Sequence, residues 1–114
     1  MVLVQALRRI RLTEVGTKND QDKLPYELLP SDAIEEILKV LQFGAKKYAA
    51  RNWELGMDWD RPFAALMRHL WAWYRKDNDG RDSETGLSHL AHAGCCLFFL
   101  LAYELRGSGK DTRP

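Results

Sequence analysis

The chain has 114 residues, a formal net charge of +1 and 46% hydrophobic residues. That length suits one compact domain with a core that needs no staples, and the near-neutral balance excludes a broad electrostatic surface for nucleic acid. Two adjacent cysteines, Cys95 and Cys96, imply no disulfide framework and fit a reducing cytoplasm, while the N-terminal MVLVQALRRIRL lacks a signal-peptide pattern and the apolar run Leu90 to Tyr103, interrupted by His92, is too short to span a bilayer.

Residues 1–15 read as an arm, either a short strand or a loosely amphipathic segment, with Val2, Val4, Leu7, Ile10 and Leu12 as its apolar positions. Residues 16–30 are rich in charge and turn formers, and Pro25 and Pro30 exclude a continuous helix. Ser31 then reads as an N-cap, followed by acids at Asp32, Glu35 and Glu36 that suit the positive end of a helix. Ile34, Ile37, Leu38, Leu41, Ala45 and Tyr48 recur at helical spacing as its core stripe, and Gly44 suggests close approach of another helix or a ligand. The loop Asn52 to Trp59 carries two tryptophans, which either stack on a nucleobase or plug gaps between helices.

Asp60, with Pro62 in the first turn, opens a second helix whose expected core stripe is Phe63, Leu66, Met67, Leu70 and Tyr74, with His69 at its edge and Arg68 pointing away. Asp77-Asn78-Asp79-Gly80 is a turn signal. A third helix starts near Thr85 or Leu87 and runs to about Arg106, with Gly107 as its stop. Residues 108–114 have no apolar content and are expected to be disordered. The expected fold is therefore all-α, residues 16–107 forming a small bundle of three long helices that dimerisation or larger assembly would complete.

The chemistry concentrates in Asp82 to Tyr103. At about 100° per residue, His89, His92, Cys96, Phe99, Leu100 and Tyr103 share one face, with Asp82 and Glu84 just before the helix. Two histidines at i, i+3 can chelate a metal or can be hydrogen-bonded core residues. Lys18, Lys23, Lys46 and Lys47 are candidates for phosphate contacts or solvated lysines.

Taken in order, Lys18/Asp20/Lys23 with Leu28 to Pro30, Phe43 to Tyr48 (FGAKKY), Asn52-Trp53, Arg68 to Trp73 (RHLWAW) and Asp82 to Ala93 (DSETGLSHLAHA) resemble the phage-type dATP/dGTP diphosphohydrolase domain, a relative of the MazG-like all-α nucleotide pyrophosphohydrolases. The resemblance spans roughly residues 16–105. It implies hydrolysis of a deoxynucleoside triphosphate to monophosphate and pyrophosphate, with a divalent metal (magnesium, or manganese or cobalt), in a helical homo-oligomer in the host cytoplasm. MazG-like enzymes carry ExxE and ExxD pairs. Here Asp32-x-x-Glu35 matches the first pair, and His89-x-x-His92 replaces the second. Imidazoles favour manganese, cobalt, zinc or iron over magnesium.

On this reading Glu35, His69, His89 and His92 form the metal region, and Glu35, Asp82 and Glu84 supply further ligands or a water-orienting base. Lys18, Lys23, Lys46, Lys47 and Arg68 hold phosphates, and Tyr48, Asn52 and Trp53 hold base and sugar. The partner is a nucleotide, not a nucleic acid or a membrane. Two alternatives stand beside the enzyme: a non-catalytic phage protein that sequesters a nucleotide or nucleotide-derived signal, and a structural oligomerisation module.

Overall fold

The structure, a computed structural model, describes residues 16–114. The N-terminal arm assigned to residues 1–15 lies outside the described residues. Three helices carry the fold: α1 (Ser31–Lys47), α2 (Asp60–Tyr74) and α3 (His89–Arg106), with short 3-10 turns at Tyr26–Leu28 before α1, at Asn52–Leu55 between α1 and α2, and at Asp77–Gly80 between α2 and α3. No strand forms among the described residues. The all-α reading holds, and α3 is the central element, packing on both α1 and α2.

Local chemistry accounts for the boundaries. α1 has Asp32 in its first turn and Lys46 and Lys47 in its last, each sign matching the nearby helix pole. Ser31 is already inside the helix, and Pro30 is the N-cap. The turn after α2 places Lys76, Asn78 and Asp79 at positive φ, a region that Asn and Asp tolerate better than most residues. α3 begins at His89, later than the sequence suggests, because Asp82 to Leu87 closes on itself. Asp82 N donates to the Leu87 carbonyl and Gly86 N to the Asp82 carbonyl, both at 2.8 Å. Ser88 then caps α3, its Oγ accepting from Leu90 N at 3.1 Å. Gly107, at φ 66°, ends it.

The core is thin and sits between α1 and α3, where Val40, Ala91 and Cys95 are buried with Ile37, Leu41, Leu87 and Phe99 around them. Val40 replaces two expected members of the α1 stripe, since Leu38 and Tyr48 are exposed. The close-approach glycine is Gly94, not Gly44. A Cβ on Gly94 would lie 2.7 Å from Ile37 Cδ1, whereas nothing comes within 4 Å of one on Gly44.

The expected α2 stripe also needs correction. Pro62 is buried and Ala65, Leu66, His69 and Ala72 are half-buried, while Phe63, Met67, Leu70 and Tyr74 are exposed, Tyr74 to 73%. Small residues let α2 approach α3 closely, and His69 needs interior partners. The bulky apolar positions therefore face outward, Phe63 beside the exposed Leu97 and Leu101 of α3.

The far end of α3 is aromatic. Tyr103, 1% exposed, donates its hydroxyl to the Trp53 carbonyl at 2.6 Å, and Trp53 stacks on Phe99 with ring centroids 4.6 Å apart. Residues 108–114, expected to be disordered, instead strap the start of α2. Trp59 N donates to the Lys110 carbonyl at 2.9 Å, Trp59 Nε1 to the Ser108 carbonyl at 2.8 Å, and Asp60 N to Thr112 Oγ1 at 3.0 Å. The tail's polar groups satisfy backbone and indole donors there, which composition alone does not reveal.

Candidate functional site

α2 and α3 bring all three histidines together. His69 enters from α2, and His89 and His92 from the first turn of α3, one turn apart on the same face. His69 Nδ1 lies 2.9 Å from His89 Nδ1, and the His69 ring stacks on His92 with centroids 4.6 Å apart. Asp82, in the closed loop before α3, completes the group. His69, Asp82 and His89 each offer a ligand atom, all within 4.8 Å of one another.

Asp82 is held by its own turn. Its Oδ2 accepts from Glu84 N at 3.0 Å and from Thr85 N at 2.9 Å, with Thr85 Oγ1 at 3.3 Å. Thr85 Oγ1 also lies 2.7 Å from His92 Nε2 and accepts from Leu87 N at 3.1 Å. Thr85 is a further member of the site, outside the expected set. Its signal was present, because an Asp three residues before a Thr in a turn is the pattern in which both side chains bond local backbone donors.

Electrostatics tune these groups toward neutral imidazoles beside an ionised carboxylate. Burial, reinforced by the nearby charges of His92 and His89, pushes His69 down to about 4. Burial likewise lowers His92, although Asp82 opposes it. Burial would raise the Asp82 carboxyl, but the backbone N–H of Thr85, the His92 charge and the backbone N–H of Glu84 outweigh it and hold the group below its ordinary range. At neutral pH His69 therefore has a free lone pair and Asp82 a negative charge, the state in which such groups bind cations.

A charged rim lies next to this cluster. Lys47, at the end of α1, donates Nζ to both carboxylate oxygens of Glu84 at 3.2 Å and sits 5.4 Å from the centre of the Tyr48 ring. The Glu84 carboxylate, with Tyr48, raises the Lys47 ammonium above its usual value. Lys47, Tyr48 and Glu84 are thus gathered beside Asp82 and Thr85.

The other expected site residues are dispersed. Glu35 is exposed on α1, roughly 160° around the helix from Ile37, which packs on α3. It does not join the histidine group. Lys18 and Lys23 are exposed in the segment before α1, and Lys46 and Asn52 are also exposed. Trp53 is committed to packing on Phe99, with the Arg106 guanidinium 5.4 Å from its ring centre. Arg68 is exposed beside His69, close enough for its charge to act on both His69 and Cys96. The two cysteines are packing groups, and burial pushes the Cys95 thiol up to about 12.

The set of two imidazoles and one carboxylate fits a divalent ion. The donors are convergent, two backbone N–H groups fix the carboxylate, and His69 is neutral at physiological pH. Among the described residues, no helix is long and apolar enough to cross a membrane.

Comparisons with known proteins agree with the motifs. The sequence profile of the family described as "dATP/dGTP diphosphohydrolase, N-terminal" matches residues 13–113. A dATP/dGTP diphosphohydrolase of Salmonella phage PMBT28 is 41% identical over 85 residues, covering 75% of this chain and 28% of that relative. No solved structure matches the chain.

Proposed function

We propose a function from one premise: this chain belongs to the family of dATP/dGTP diphosphohydrolase N-terminal domains. The reading is metal-dependent hydrolysis of a purine deoxynucleoside triphosphate to monophosphate and pyrophosphate, with the centre at His69, Asp82 and His89. The observation that carries it is the convergence of those three donors within 4.8 Å, beside a lysine and a tyrosine able to meet a phosphate and a base.

A divalent ion bound there would neutralise charge on the phosphate oxygens and polarise the scissile bond. The chain's own residues do the rest. Asp82 keeps its orientation through the N–H groups of Glu84 and Thr85. Thr85 ties His92 to the same turn, so His92 is poised to hold a proton or a water beside the centre. Lys47 contributes a positive charge at the mouth, and an entering phosphate competes with Glu84 for it. Arg68 and Lys46 are further contacts for phosphates, and Tyr48 offers a face to the base. The test is product analysis with dATP and dGTP. Monophosphate plus pyrophosphate supports the reading, and an inert protein at every divalent ion tested sinks it.

A second reading keeps the nucleotide and drops the chemistry. Glu35, the acid that matches the family's first pair, stands apart from the histidines, which leaves Asp82 as the carboxylate of the three-donor group. Nucleotide bound tightly and recovered intact would favour this sequestering role.

The active form on our reading is a homo-oligomer. Phe63, Trp71, Leu97, Phe98 and Leu101 are each between 42% and 53% exposed and lie along the paired helices α2 and α3. A second copy laid against that pair would give a four-helix arrangement and remove this apolar surface from water. Light scattering that finds only monomer at micromolar concentration contradicts it.

A further inference from the structure

We infer that the notch between the end of α2 and the turn Asp77–Gly80 is a seat for a guanine base. The inference rests on the nucleotide reading only for the choice of a nucleobase as the planar ligand, and not on hydrolysis or on a metal.

The notch is lined by Trp73, Tyr74, Lys76, Asp79 and Gly80 and opens a space of about 440 Å3, the size of a small-molecule site. Gly80 is buried beneath it, and a Cβ there would lie 3.5 Å from Trp73 Cδ1. Trp73 and Tyr74 are 44% and 73% exposed, so both keep ring surface for a ligand. Trp71 meets Tyr74 edge-on, with ring centroids 6.2 Å apart, which limits how the Tyr74 ring can turn. Open aromatic faces of this kind stack on bases.

Charge narrows the choice of base. In the same turn Arg75 and Asp77 neutralise each other at 3.0 Å. Lys76 and Asp79, by contrast, line the notch and have no ion-pair partner among the described residues. Their backbones lie at φ 61° and 56°, a region that L side chains rarely adopt. The turn holds them there: Asp79 N donates to the Lys76 carbonyl at 3.2 Å, and Asn78 Nδ2 to the Arg81 carbonyl at 3.0 Å. An ammonium and a carboxylate are thus presented beside two rings. Guanine carries an acceptor, O6, next to two donors, N1–H and N2–H2. The carboxylate can accept from both donors while the ammonium donates to O6. Adenine offers one donor, N6–H2, beside one acceptor, and so meets the same pair with one charge-assisted hydrogen bond fewer.

The seat adjoins the histidine group. Trp73 is one turn beyond His69 on α2, about 6 Å along the axis, and Gly80 is two residues before Asp82. Neither Tyr48 nor Lys47 lines the notch, so it is distinct from the rim at Glu84. The base belongs either to a nucleotide whose phosphates reach the histidines or to a separate guanine nucleotide, and the test distinguishes the two.

The full chain is titrated with deoxyguanosine, deoxyadenosine and deoxyinosine, which carry no phosphate, while the NMR signals of the Gly80 amide and the Trp73 indole are followed. Deoxyguanosine should shift both, half-saturating at a concentration at least about fivefold below that of deoxyadenosine. Deoxyinosine, which lacks the N2 amine, should lose most of that advantage. Asp79→Asn should abolish the preference with the fold intact, because Asn also tolerates positive φ, and Lys76→Gln should weaken deoxyguanosine binding. Equal response to deoxyadenosine, shifts confined to the Tyr48 region, or a preference that survives Asp79→Asn overturns the inference. Turnover of dGTP against dATP then separates the sources. A ratio altered by Asp79→Asn assigns the seat to the substrate's own base, and an unaltered ratio assigns it to a second guanine nucleotide. The nucleoside titration needs no turnover, so failure of the hydrolase reading and failure of the guanine seat are read independently.

Discussion

At its N-terminal end α3 presents His89 and His92 to His69 and Asp82. At its C-terminal end the same helix presents Phe99 and Tyr103 to Trp53. One end gathers polar groups, of which His69 and His92 are held toward their neutral forms by burial. The other gathers rings whose burial is favourable from the start, at roughly 1.5–3 kcal/mol per fully buried large apolar side chain. The contrast separates what holds the molecule together from what it holds in readiness. It also predicts opposite consequences for mutation at the two ends.

The largest stability effect belongs to the aromatic end. Tyr103→Ala should cost about 3–5 kcal/mol, because it removes the most deeply buried side chain and its hydrogen bond to the Trp53 carbonyl. Tyr103→Phe should cost about 1 kcal/mol, rising toward 3 if the carbonyl stays dry. Urea unfolding measures both, and turnover of the folded fraction should be normal in Tyr103→Phe.

At the polar end the order reverses. His69→Gln and Asp82→Asn should abolish hydrolysis while the melting temperature of the metal-free protein changes little. Should either variant retain wild-type turnover, the chemistry lies elsewhere.

Next in size is the seam between α1 and α3. Gly94→Ala drives a methyl against Ile37 Cδ1 at 2.7 Å, a clash of about 1–3 kcal/mol that the better helix propensity of alanine offsets by about 1 kcal/mol, so the net loss should be at most about 2 kcal/mol. Ile37→Val shortens the obstructing arm, so the double variant should recover part of that loss. Strict additivity of the two would argue against the contact.

A subtler difference is pH dependence. The His69 imidazole sits at about 4 in the folded protein against 6.5 ordinarily. Above 6.5 neither state binds the proton, and the group is silent. Between about 6.5 and 4 the unfolded chain takes up a proton that the folded chain refuses, so stability falls as pH falls through that window. His92 is lowered as well and acts in the same direction. Asp82, depressed from 3.8, contributes stability that is lost only at still lower pH. Melting curves in chelator from pH 7.5 to 4.5 should slope downward toward acid, and His69→Gln should flatten part of that slope.

The two ends also differ in how far the sequence disclosed them. Helix positions, the Gly107 stop and the shared face of α3 were legible because periodicity and end signals are local. The association of His69 with His89 and His92 was legible as well, since a histidine at the edge of one apolar stripe can meet two on another. The rotation of α2 was not legible. Its apolar positions cover more than one face, and periodicity cannot say whether Phe63 and Tyr74 face α3 or leave that side to Ala65, His69 and Ala72. The docked tail was also hidden, because its contacts use backbone carbonyls and the Thr112 hydroxyl, which composition does not count. Glu35 carried a plausible spacing from Asp32, but a spacing within α1 says nothing about which neighbour that face meets.

The most direct test of the central claim is product analysis of the wild-type chain and Asp82→Asn with dATP and dGTP, in manganese and then magnesium, with products separated by anion exchange. The account predicts monophosphate and pyrophosphate in equal amounts from the wild type, and neither from Asp82→Asn at an unchanged melting temperature. Turnover that survives Asp82→Asn, or a folded wild-type protein that returns both nucleotides intact, would contradict it.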